Sequence, residues 1–148
     1  MMLNRLRALL GSPASNGAAP SEALSTAVLL LELARSDFDL ADAERQCLRE
    51  LLASRYSLDA AALDALLAEA QARAAAAVSL HDDVQSLNTY LDAEGKCRLM
   101  AMLWQVAYAD GRIDKYEEHL LRRLADLLYV PMADYVRIKI ESGQTQVS

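Results

Sequence analysis

Apolar residues recur along most of this chain at separations of three, four and seven, the spacing that lines up one face of an α-helix. Leu24, Val28 and Leu31 form such a stripe in a segment that opens at Ser21. Ser21 or Ser25 is placed to cap this helix, because a serine hydroxyl accepts from a free first-turn amide. The helix is expected to run to about Asp37. A second helix is expected over 41–55, a third over 58–77 with Ser57 as its cap, and a shorter fourth over 81–91. The next, over 93–109, contains "LMAMLWQVAYA", in which only Gln105 is strongly polar. A helix that is apolar nearly all round belongs at the centre of a fold. Asp114 and Glu117 then make an Asp-x-x-Glu capping box that opens a helix to about 128, and Val130-Pro131 breaks it. A last helix is expected over 132–141, ending before Gly143, with "QTQVS" frayed.

The pattern predicts an all-α fold, a compact bundle of about six to eight helices. Residues 1–10 can form a short amphipathic helix, with Leu3, Leu6 and Leu10 on one face and Arg5 and Arg7 elsewhere. The stretch "GSPASNGAAPS" over 11–21 is rich in small residues and helix breakers. The chain thus divides into an N-terminal segment and linker over 1–20, a helical domain over 21–142 and a tail over 143–148. Two arginines and a few leucines bind a membrane surface only weakly, so packing or disorder is expected for the first segment.

Composition supports this picture. The chain has 148 residues, 53% of them hydrophobic, with only 5 Gly and 3 Pro. That is enough for one domain with a real core. Its net charge of −6 disfavours nucleic acid, whose binding depends on phosphate neutralisation by Lys and Arg. Cations or basic protein surfaces are easier partners. The longest apolar run, "AVLLL" at 27–31, stops at Glu32, far short of a membrane span. The start of the chain lacks the long apolar region and cleavage site of a signal peptide. Cys47 and Cys97 show no CxxC spacing and are expected to be reduced, in or near the core of a cytoplasmic protein, with a disulfide as the alternative.

The body contains an internal repeat. "ARSDFDLADAERQCLRELL" begins at Ala34 and "AYADGRIDKYEEHLLRRLA" at Ala107. Without a gap, Asp37 falls on Asp110, Leu40 on Ile113, Glu44 on Glu117, Leu48 on Leu121, Arg49 on Arg122 and Leu51 on Leu124, at a constant offset of 73. Pseudo-twofold symmetry between the copies is expected. The second copy imitates the latter half of a calcium-binding helix–loop–helix, with Asp110, Gly111, Ile113 and Glu117 in register. The earlier ligand positions would be Val106 and Tyr108, which supply no carboxylate, so a standard calcium loop is rejected.

The glutamates nevertheless occupy unusual places. Glu44 shares a helix face with Leu40, Leu48 and Leu51, and Glu117 with Ile113, Leu120, Leu121 and Leu124. Both lie on, or at the edge of, the core-facing stripe, whereas Glu118 is expected to pair in solvent with Arg122. Asp37 and Asp110 end helices, where the dipole disfavours negative charge. Two accounts fit. In one, the aspartates close Asx-turns, Gly111 supplies a positive φ, and the glutamates accept from amides at their helix starts. In the other, four carboxylates converge on a hard divalent cation.

The two copies of Ala-x-x-Asp-x-x-(Leu/Ile)-x-x-x-Glu, separated by a helical middle segment, resemble the TerB-like family of tellurite-resistance proteins; related domains occur in some membrane-anchored DnaJ-like co-chaperones. The likeness covers about 24–130, and the second copy, "AYADGRIDKYEEHLLRRLADLL", matches closely. The resemblance implies a compact all-helical cytosolic domain, linked to tellurite and other stress responses rather than to a defined reaction. It also implies an acidic patch that binds a divalent metal such as calcium, magnesium or manganese. Carried over by position, the patch uses Asp37 and Glu44 with Asp110 and Glu117. Phe38 departs from the family's usual Gly after the Asp, which leaves the direction of Asp37 open; Asp39, Asp42 or Asp114 are spare carboxylates.

Other constellations are weaker. His81 and His119 lack the neighbours a zinc site needs. There is no Gly-rich phosphate loop, and no residue is marked as a nucleophile. Trp104 is expected in the core. The expectation is therefore a non-enzymatic protein with a metal-binding patch and a protein partner. The alternative is a helical interaction module whose acidic motifs are structural caps.

Overall fold

The computed structural model describes residues 21–35, 42–76, 80–109, 111, 113 and 115–147. Among them lie seven helices and no strand: α1 (Glu22–Arg35), α2 (Asp42–Tyr56), α3 (Ala60–Ala75), α4 (Leu80–Tyr90), α5 (Ala93–Tyr108), α6 (Lys115–Leu127) and α7 (Met132–Val147). Helix α1 starts where Ser21 Oγ accepts from the Leu24 amide at 3.1 Å. From Leu24 to Ala34 only Glu32 escapes full burial. The sequence stripe of Leu24, Val28 and Leu31 therefore understates this helix, which is as central as α5.

Helices α1 and α5 pack against each other, and the others surround them. Helix α3 lies along α1 as α7 lies along α5, while α4 covers another side of α1. Helix α2 touches both α1 and α5; α6 does likewise. Each repeat's second helix thus reaches across to the first helix of the other copy. The burial pattern follows the repeat: Ala27 answers to Met100, Leu30 to Leu103, Leu33 to Val106, Ala34 to Ala107, Leu48 to Leu121 and Leu52 to Ala125, all in the core.

The repeat also extends further than the sequence match. Helix α2 ends on Ser57 at φ 54° and α6 on Tyr129 at φ 61°. Beyond each, an amide reaches back to close a Schellman turn, Leu58 to the Ala53 carbonyl at 3.0 Å and Val130 to the Ala125 carbonyl at 2.8 Å. Ser57 is therefore a helix stop. The cap of α3 is Asp59, whose side chain accepts from the Ala62 amide. Past these stops the copies continue in register at a spacing of 72, with Ala60 and Met132 each opening a helix and Leu63 and Tyr135 equally buried. The repeating unit is three helices long.

Helix α7 does not stop before Gly143; it continues to Val147. A Cβ on Gly143 would stand 3.1 Å from the Tyr108 hydroxyl. The glycine there makes room for a neighbouring ring inside a helix that continues past it. Tyr108 in turn stacks on Trp104 at 5.6 Å, and Tyr135 of α7 meets the same indole at 5.7 Å. Trp104 is fully buried in the core.

Two polar ties hold α1 to its neighbours. The Tyr56 hydroxyl donates to Glu22 Oε2 at 2.8 Å and shares a hydrogen bond with Thr26 Oγ1 at 2.8 Å. Ser25 Oγ donates to Asp83 Oδ1 at 3.1 Å, and Arg73 reaches the same oxygen at 3.2 Å. Asp83 is fully buried, so the arginine and the serine together answer its charge.

Burial pushes the Tyr56 phenol up to about 12, with Glu22 adding to the rise and Thr26 opposing it. A tyrosine in the unfolded chain titrates near ~10. Raised in the folded state, the group contributes stability that is complete below about pH 10 and is lost as pH rises through about 12. Denaturant melts at stepped alkaline pH should show wild type losing stability across that window and Tyr56→Phe losing measurably less. Parallel curves for the two proteins would contradict the assignment.

Candidate metal centre

The turn after α5 carries the feature that first suggests a ligand loop. Gly111 sits at φ 93°, and its amide donates to the Tyr108 carbonyl at 2.8 Å. Nothing lies within 4 Å of where its Cβ would be. Conformation, not crowding, therefore demands a glycine there, as the sequence predicts. Ile113 follows, half-buried against the core as the apolar plug.

Helix α6 then begins, and Glu117 in its first turn is 1% exposed. Its counterpart Glu44, in the first turn of α2, is 0% exposed. Both glutamates, expected on or at the edge of the core-facing stripes, are buried. Carboxylates at these places gain from the positive end of the helix dipole. Glu118, one residue on, points elsewhere: it pairs with Lys139 of α7 and not with Arg122 as expected. Arg122 instead lies over the Tyr135 ring, 5.8 Å from its centroid.

Asp37 and Asp110 lie outside the described residues, as do Phe38, Asp39 and Asp114. Among the described residues no three His, Cys, Asp or Glu side chains come together as a metal site. What the fold supplies is one buried carboxylate from each repeat, in equivalent first turns, on helices that each touch both central helices. The donor type suits a hard divalent cation, which takes carboxylate oxygens and leaves soft thiolates aside. Two donors do not make a site; Asp37 and Asp110 would have to complete it. The same placement also suits helix capping.

Cys47 stands in α2 between Glu44 and Glu50. Burial pushes its thiol up, and the two carboxylates add to the rise, Glu50 before Glu44. It is a free cysteine at the edge of the core, half-buried like its counterpart Leu120. Cys97 is also free, and burial raises its thiol as well. His119 is exposed and away from Glu117.

Two features escaped the sequence reading. Asp83 is a buried ion-pair partner, although its spacing from Leu80 and Leu87 on α4 places it on their apolar face. Met132, Val136 and Ile140 repeat every four residues on α7 and stay exposed. That periodicity is visible in the chain, but nothing in it says which face meets the core.

A family model described as tellurite resistance protein TerB matches residues 23–140, most of the chain. No curated protein and no solved structure matches.

In a Cys97→Ser background, a bulky maleimide at neutral pH should modify native Cys47 at least about tenfold more slowly than it modifies the denatured chain. Equal rates would place Cys47 outside the packed layer.

Proposed function

The chain belongs to the TerB family, and from that premise we propose a non-enzymatic, cytosolic protein of the tellurite-resistance and stress response that holds a divalent cation between its repeats. The observation that carries this reading is the matched burial of Glu44 and Glu117, one from each repeat, in the first turns of α2 and α6. Asp37 and Asp110, at matching places in the two copies of the sequence, are the proposed remaining ligands. Calcium, magnesium or manganese bound there would neutralise converging carboxylates and tie the repeats together. No helix in the described residues is long and apolar enough to cross a membrane.

A second reading is a protein–protein interaction module in which the same glutamates only cap their helices. It is favoured by the exposed apolar residues of α7.

Thermal melting separates the two. A cation that binds only the folded state must raise the melting temperature. In chelator, Glu117→Gln should cost little or even stabilise, because it removes one of several like charges. With excess calcium, magnesium or manganese, wild type should gain stability and Glu117→Gln should gain clearly less. If Glu117 is only a cap, the substitution costs about 1 kcal/mol or less whatever the metal. Equal metal responses in the two proteins, including none in either, overturn the cation reading and leave the interaction module.

A further inference from the structure

The two halves of the fold each form a groove between their second and third helices, and the grooves differ in kind. In the first half Arg45, Leu48 and Arg49 of α2 face Asp64, Leu67 and Ala68 of α3 around a space of about 220 Å³. Arg49 closes it with an ion pair to Asp64 at 3.0 Å. In the second half Lys115, Glu118 and Arg122 of α6 face Val136, Lys139 and Ile140 of α7 around about 530 Å³. Arg122 is the repeat counterpart of Arg49. At the three-helix register the counterpart of Asp64 is Val136, and that of Ala68 is Ile140.

The substitution of kinds has two consequences. Arg122 keeps the position of a paired arginine, but the carboxylate that would answer it is gone; no ion pair to it occurs among the described residues. The wall that held that carboxylate is now apolar and open, with Val136 42% and Ile140 53% exposed, in line with Met132. Such a stripe, about two helical turns long, fits the apolar face of a docked helix. The charged side chains that line it are three cations, Lys115, Arg122 and Lys139, and one carboxylate, Glu118, which Lys139 already engages; Asp126 acts on the Tyr135 ring from outside the lining. This cationic lining lies on a protein of net charge −6. The chain's own first ten residues carry Arg5 and Arg7 and no acid, so their charge is wrong for this groove.

We propose that the α6–α7 groove is a docking site for an acidic amphipathic helix of a partner protein, whose apolar face covers Met132, Val136 and Ile140 and whose carboxylate takes, on Arg122, the place that Asp64 holds on Arg49. The proposal gives the interaction-module reading a surface and a partner chemistry. It is independent of the cation reading, and its test is run in chelator.

The probe is a displayed library of helical peptides with a fixed leucine stripe and with flanking positions open to Glu, Lys, Gln and Ser. Full-length protein is the bait. The enriched peptides should carry Glu at the flanks, and their Gln-for-Glu versions should bind about tenfold more weakly or worse. Raised salt should weaken binding further. Val136→Glu should abolish binding by placing a like charge in the groove, and Lys115→Glu should reduce it about tenfold; both sites are exposed, and each variant's melting temperature serves as the folding control. Should Val136→Glu fail to fold, Lys115→Glu decides. Several results overturn the proposal. They are flanks enriched in Lys, binding that both variants leave intact, no enrichment at all, or self-association in sedimentation that Val136→Glu removes, which would make a second copy the occupant.

Discussion

Two helices that carry most of the core pack against each other, and the rest of the fold is arranged around that contact. Along most of α1 there is no solvent face, so its buried polar side chains need partners from neighbouring helices. Ser25 finds Asp83 on α4, and Thr26 finds Tyr56 on α2. The crossed packing follows from the same demand. Because α2 and α6 each lie on both central helices, neither copy can bury its core without the other. The internal repeat is thus a single cooperative unit, not two small domains.

Within that frame Glu44 and Glu117 occupy places where a carboxylate is costly unless it is answered. Helix-start amides answer part of such a charge, and a shared cation would answer more. Duplication allows both, because it delivers a matched pair of acids from symmetric elements. The two copies differ at the third helix. One groove keeps its Arg49–Asp64 ion pair and serves as ordinary surface. The other has Val136 at the place of the acid and encloses a larger space.

Much of this was legible in the residues. Helix periodicity gave seven elements, all but the last close to their true ends, and the ungapped match between the copies anticipated much of the shared burial. Gly111 announced its positive φ, and the glutamates announced their stripe. What stayed hidden depends on tertiary context. Ser57 has the right chemistry for a cap, but the Schellman turn takes it in a left-handed conformation and leaves capping to Asp59. Gly143 reads as a stop in the isolated sequence; the Tyr108 ring beside it shows that the position needs a small residue for packing instead. Helix α6 reaches its closing turn one residue sooner than α2 does, and this shift conceals the third helix of the repeat from an ungapped comparison. Glu118 had an i+4 arginine within reach, yet a lysine from another helix took it.

The central claim is that Glu44 and Glu117 belong to one coupled site spanning the repeats. A double-mutant cycle with Glu44→Gln, Glu117→Gln and the pair, measured by denaturant unfolding in chelator, tests it most directly. Coupling through a shared acidic patch predicts that the effects of the two substitutions fail to add, by more than about 0.5 kcal/mol, and that the discrepancy changes when manganese is present. Additivity within about 0.3 kcal/mol under both conditions would mean two independent helix caps, and would contradict it.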